Sequence, residues 1–189
     1  MRNLEKRSLP LLGKTAQIDS APQHFAVGSR QQIRRDRTSM LYFEDFSPGR
    51  RFDYTPVEMK PAGMIAFASE FDQQPMHLDE EAGKHSILGG LAASGWHTSA
   101  IGMRMMLDAF MGNSTSQGSP GIDFMDWRRP VIAGDVLSGF SLVVEARRSI
   151  SKPDLGIVKF RNEINNQAGE PVAVSECSVL FRCRDKGKA

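Results

Sequence analysis

Asp72 and His77 lie close together in Phe71-Asp72-Gln73-Gln74-Pro75-Met76-His77-Leu78-Asp79, with a proline between them. A carboxylate and an imidazole are side chains suited to moving a proton near neutral pH. Met64, Phe67, Ala68 and Phe71 recur at helical spacing behind Pro61, so Asp72 falls at a helix exit, where the carbonyl end of the dipole repels its charge. A carboxylate kept in so poor a position points to a base. Pro75 holds Gln74 out of helical geometry, and the bend lets His77 turn back toward Asp72. Both groups then reach one water, the carboxylate as proton acceptor and the imidazole as partner and proton donor. The structural alternative is that Asp72 caps a turn and His77 is a satisfied core histidine.

An acid and base pair needs an electrophile-activating donor beside it. The stretch Gly90 to Met111, GLAASGWHTSAIGMRMMLDAFM, supplies one, because its glycine-rich entry (Gly89, Gly90, Gly95) opens a helix whose first N–H groups are free. Trp96, Ala100, Met103, Leu107 and Phe110 recur at alternating four- and three-residue steps, and Ile101, Met105, Met106 and Met111 widen the apolar surface. His97, Arg104 and Asp108 leave only a narrow polar stripe, which predicts a buried helix enclosed by a curved sheet or by other elements. His97 reads more readily as structural than as pocket lining, and Met105, Met106 and Met111 as core or tunnel wall.

The remaining elements must position these two features. Arg51 to Glu58 has strand composition, Pro61 to Phe71 a helical face, and Asp79 caps a short turn that runs out at Gly83. A polar loop from Asn113 to Ser119 follows the long helix, and the period then changes to two. Strands are predicted over Gly121 to Arg128, Val136 to Arg147, Leu155 to Ile164 and Val172 to Arg182, with turns at Pro130 to Asp135 and Asn165 to Gly169. In the second of these strands, Val136, Phe140, Leu142, Val144 and Ala146 define the expected inward face. The C-terminal half therefore reads as an antiparallel sheet.

The chain has 189 residues and a net charge of +2, and Met1 to Met40 carries eight Lys/Arg against three acids. That leaves about −3 on the rest, which excludes a basic nucleic-acid face there. Residues 1–40 read as a basic leader, disordered or mistranslated rather than a functional arm, although an Arg-rich, acid-poor start also resembles a mitochondrial transit segment. Two cysteines, Cys177 and Cys183, too far apart along a strand to pair, fit a reducing compartment. With no apolar run of membrane-spanning length, a cytoplasmic protein without nucleic-acid or membrane partners is expected. Four histidines without paired spacing argue against a metal site.

The segment FASEFDQQPMHLDEE, followed by GGLAASG and a long helix, then RRPVIAGDVL and paired strands, resembles the MaoC-like dehydratases, single-hotdog relatives of the (R)-specific enoyl-CoA hydratases. The resemblance runs from Tyr42 to about Arg184, and the corresponding domain is expected over 41–185 with a tail at 186–189. It implies an α+β hotdog fold, a long central helix wrapped by a curved antiparallel sheet, paired into a homodimer or higher oligomer. It also implies that Asp72 and His77 hold the water that crosses the 2,3 double bond of an enoyl thioester, giving an (R)-3-hydroxyacyl thioester, while the Gly95 N–H polarises the thioester carbonyl. Gln74, Ser94, Trp96 and Met103 are the implied substrate-binding positions. No metal or redox cofactor is implied; CoA or an acyl-carrier pantetheine enters as part of the substrate. Phe71 stands where the family commonly has Gly, Gln74 where it has Asn and Ser94 where it often has His. Arg128, Arg129 and Lys152 are candidates for the CoA phosphates, against the commoner case of solvated surface cations. Two other readings remain: a thioesterase in which Asp72 directs water at the carbonyl carbon, and a non-catalytic acyl-thioester-binding module.

Overall fold

Three long strands with an inward residue at every second position build the frame. In β5 (Leu155–Asn165) buried and half-buried residues alternate without exception, and Gly156, Val158, Phe160, Asn162 and Ile164 point inward. It pairs antiparallel with β4 (Val136–Arg148) on one side and β6 (Pro171–Arg182) on the other. β1 (Arg51–Asp53) extends the sheet beyond β4, and β3 (Gly121–Trp127) extends it beyond β6, giving the order β1-β4-β5-β6-β3. The two-residue β2 (Val57–Glu58) pairs with the start of β4. Bulges between Val143 and Glu145 and between Ile122 and Phe124 re-aim the side chains that follow them. This computed structural model describes residues 40–184. The expected leader, apart from Met40, and the expected tail at 186–189 lie outside the described residues.

The hollow of the sheet holds α4 (Gly95–Ala109), whose Met105 and Met106, with Phe110 just beyond, join Val158, Phe160, Ile164, Val179 and Phe181 in one core. Gly102 lets the helix press on the sheet, since a Cβ there would lie 2.5 Å from Ile164 Cδ1. Aromatic rings seal the far end: Phe46 packs on Phe181 at 4.2 Å and, edge-on, on Phe160 at 5.8 Å.

Three expectations need correction. The helix starts at Gly95 rather than Gly90, because residues 90–94 run extended, with Ala92 bridged to Ile132, until Ser94 caps the first turn. It is not wholly enclosed: Trp96 is 64% exposed and Met103 52%, with Ala100 and Leu107 on the same outer stripe, whereas His97 is buried against Phe67. Periodicity identified an apolar stripe but not what covers it. Finally, β4 faces the other way: Leu137, Ser141 and Val143 are buried, while Val136 and Val144 are exposed and Phe140 lies under the Arg51 guanidinium. Gly139 and Ser141 made the inner face look polar, and only after the bulge does Ala146 return to the core side.

Candidate active site

α1 (Pro61–Phe71) begins with proline at its first turn and ends at Asp72, whose φ of −154° and ψ of 70° leave the helix. Gln74 is extended, and Pro75 opens the single turn of α2 (Pro75–Leu78), which swings His77 back into the fold. α3 (Glu80–His85) follows, capped by the Asp79 carboxylate, which accepts from the Ala82 N–H at 2.8 Å, and it runs past Gly83 to its end at His85. Asp72 Oδ2 lies 3.6 Å from His77 Nε2. That is too long for a direct hydrogen bond, yet one water can reach both atoms.

Neither group is free to turn. His77 is 6% exposed, and its Nδ1 lies 2.8 Å from the carbonyl oxygen of Ala92. A carbonyl only accepts, so Nδ1 carries the proton and Nε2 is the atom presented to Asp72. The Ala92 carbonyl is itself fixed, because the strap around it donates from Ala92 N to Met76 O at 3.2 Å and from Ala93 N to Val131 O at 2.8 Å. On the other side, the Gln74 amide donates to Asp72 Oδ1 at 2.7 Å and the Ser94 hydroxyl donates to the same carboxylate. These two bonds, the Gln74 one first, hold Asp72 below the usual carboxylate range; burial opposes them, and the nearby imidazole adds to the lowering. Asp72 is thus an ionised acceptor at neutral pH.

Ser94 joins the two halves of the site. Its oxygen accepts from Trp96 N at 3.2 Å, capping α4, while its proton goes to Asp72. Gly95 is the first residue of α4, so its N–H has no intrahelical partner. A cavity of about 280 Å³ is lined by Gly95 and His77 together with Trp127, Arg128 and Arg129. The Trp127 indole sits on Gly95 and donates from Nε1 to Ser99 Oγ at 3.1 Å. Beyond this pair, along the same helix, a second cavity of about 300 Å³ opens between α4 and the sheet, lined by Ser99, Gly102, Met103 and Met106 on the helix side.

The chain therefore brings Asp72, Gln74, His77, Ser94 and Gly95 together. Trp96 lies outside this group, exposed and edge-on to Trp127 at 5.1 Å, and Met103 borders the second cavity. The Ala92 carbonyl and the Trp127 indole were not read from the sequence. Both depend on pairings distant in the chain, Ala92 with Ile132 and Trp127 with Ala173, and no local pattern announces them. Among the described residues, no group of three or more His, Cys, Asp or Glu is placed to hold a metal ion, and no helix is long and apolar enough to cross a membrane.

The family model for the MaoC like domain matches residues 45–162. A MaoC-like dehydratase from Rhodospirillum rubrum, of known structure, is 40% identical, with a TM-score of 0.70 over 77% of this chain and 99% of its own. The R-hydratase PhaJ1 from Pseudomonas aeruginosa shares the fold at 19% identity, with a TM-score of 0.63 over 76% of this chain and 86% of its own. The uncharacterized protein YdeM of Bacillus subtilis is 29% identical over 143 residues, 75% of this chain and 99% of YdeM. With the Asp72 and His77 pair carried on an α+β hotdog fold, the chain belongs to the MaoC-like dehydratase family.

Proposed function

We propose that this protein is a hydro-lyase that adds or removes water across the 2,3 double bond of an enoyl thioester, with an (R)-3-hydroxyacyl thioester on the other side of the equilibrium. The observation that carries the reading is the tautomer-fixed His77 Nε2 at 3.6 Å from an ionised Asp72, beside the free N–H of Gly95. In the hydration direction the pair orients one water. Asp72 accepts its proton as the oxygen bonds to C3, the double-bond electrons move toward C2 and the thioester oxygen, and the Gly95 N–H stabilises the charge gathering there. A proton returns to C2 from the pair through His77, so Asp72 and His77 end the turnover as they began it.

The thioester enters as CoA or as an acyl-carrier pantetheine, and Arg128 and Arg129, which border the first cavity and pair with Asp126 and Glu170, exchange those carboxylates for its phosphates. Its acyl chain runs along α4 toward the second cavity, whose methionine walls adapt to an alkyl chain. A second copy of the chain covers the exposed apolar stripe of Trp96, Met103 and Leu107.

The test is a hydration assay on short- and medium-chain trans-2-enoyl-CoA esters with a thiol reagent in parallel. Loss of enoyl absorbance without thiol release, reduced about 10²-fold or more in Asp72→Asn and in His77→Gln, is the expected result. Thiol release instead would mean hydrolysis. Tight binding of the esters with no turnover at all would mean a binding module.

A further inference from the structure

The inner face of the sheet carries one transverse row that does not belong in a hydrophobic core. Ser141 of β4 is paired with Asn162 of β5, which is paired with Ser175 of β6, and Tyr54 closes the row from the β1 side. The neighbouring rows, Gly139–Ile164–Ala173 and Val143–Phe160–Cys177, contain no oxygen or nitrogen in their side chains. All four members of the polar row are buried, and an apolar row would fill the same places without the cost of desolvating them.

The row is polarised in one direction. Tyr54 lies 2.6 Å from Ser141 Oγ, and Ser141 donates to Asn162 Oδ1 at 2.7 Å, so the phenol proton goes to Ser141. The Asn162 amide then donates to Ser175 Oγ at 3.3 Å and, weakly, to Cys177 Sγ at 3.6 Å. Burial pushes the Tyr54 phenol up to about 12, so it stays protonated and the direction does not reverse near neutral pH. Ser175 is the end of the chain: it accepts from Asn162, and its own O–H has no acceptor among the described residues. Tyr54, Asn162 and Ser175 all line the second cavity, whose other walls are mainly methionine, isoleucine, valine and alanine. No Lys or Arg is among those lining residues, so a carboxylate there would be left uncompensated.

We infer that the second cavity selects an acyl chain bearing a neutral acceptor oxygen, a hydroxyl, keto or ether group, part-way along or at its end, with the Ser175 O–H as the donor that reads it. The inference rests on the proposed function only in taking the occupant to be an acyl thioester. A buried donor without an acceptor of its own, in a pocket whose other serine hydroxyls, Ser99 and Ser119, are already paired, discriminates against the plain alkyl chain, because that ligand leaves it unpaired.

The test measures binding rather than turnover. Saturated medium-chain acyl-CoA thioesters are titrated by calorimetry against a set of isosteres in which one chain methylene at a time is replaced by an ether oxygen. One oxygen position should bind about tenfold more tightly than the alkyl parent, as one recovered hydrogen bond to a buried donor requires, while the others bind more weakly. Ser175→Ala should flatten that maximum and Ser175→Thr, which keeps the hydroxyl, should retain it. A scan in which every oxygen weakens binding overturns the inference, as does a maximum that survives Ser175→Ala or an absence of binding by every ester. The scan on the wild-type protein decides the matter even where Ser175→Ala fails to fold. Because the esters are saturated, a failed scan leaves the hydration assay to judge the reaction separately.

Discussion

The indole of Trp127 packs directly on Gly95, where an added Cβ would lie 2.8 Å from both Cδ2 and Cε2. The ring cannot simply swing away, since Nε1 is bonded to Ser99 and the residue is held in β3. Gly95→Ala must therefore move the first turn of α4, and with it the N–H assigned to the thioester carbonyl. The expected outcome is a loss of about 1–3 kcal/mol of stability and a fall in kcat of about 10²-fold. Gly95→Ala combined with Trp127→Leu should regain stability. An unchanged kcat in Gly95→Ala would remove this N–H from the chemistry.

A second prediction concerns Gln74, which keeps Asp72 ionised through the 2.7 Å bond to Oδ1. Its removal in Gln74→Leu raises the Asp72 pKa, leaving the Ser94 hydroxyl as the remaining side-chain donor. A base is active above its pKa, so the acid limb of the kcat/KM profile should move to higher pH while the plateau falls less than it does in Asp72→Asn. The profile, measured on both variants, checks this. An acid limb that stays in place in Gln74→Leu would mean that a group other than Asp72 sets it.

The proximity of Asp72 and His77 was legible in the sequence because their placement is local. A helix that must stop before Pro75 puts Asp72 at an exit, and the bend returns His77, within a few residues. What anchors the pair was not legible, because the Ala92 carbonyl is positioned by pairing with a turn some forty residues away. The face of β4 was misread for a more instructive reason. Alternation reports which side is more apolar, and here the outer side carries Phe140 and Val144 while Gly139 and Ser141 face the interior. The inner face departs from the rule where Ser141 bonds Tyr54 and Asn162 and where the Glu163 backbone leaves no room for a Cβ at Gly139.

The strap that fixes His77 gives a third prediction. Gly83 in α3 touches it so closely that a Cβ would approach the Gly90 carbonyl oxygen to 2.3 Å, and the three nearest atoms, of Gly90 and Leu91, are all backbone. Gly83→Ala should cost about 1–3 kcal/mol by thermal or urea unfolding. It should also lower kcat, because the Ala92 carbonyl moves with the strap. A variant that loses stability but keeps full kcat would show that the His77 tautomer does not depend on this anchor.

The outer stripe of α4 gives the last. Trp96, Met103 and Leu107 lie one or two turns apart on one exposed face, and β3, whose outer edge has no partner strand among the described residues, carries the exposed Ile122, Phe124 and Trp127. An apolar stripe beside an open edge is a surface that another copy of the same chain can cover. Wild-type protein should therefore sediment as a dimer or larger assembly, and Leu107→Glu, which buries a charge in that contact, should shift it toward monomer. Leu107 lies outside both cavities, so any fall in turnover that follows dissociation reports that the site needs its partner. A monomeric wild-type protein would leave the stripe without its proposed cover. Full activity in a monomeric Leu107→Glu variant would show instead that each chain carries a complete site.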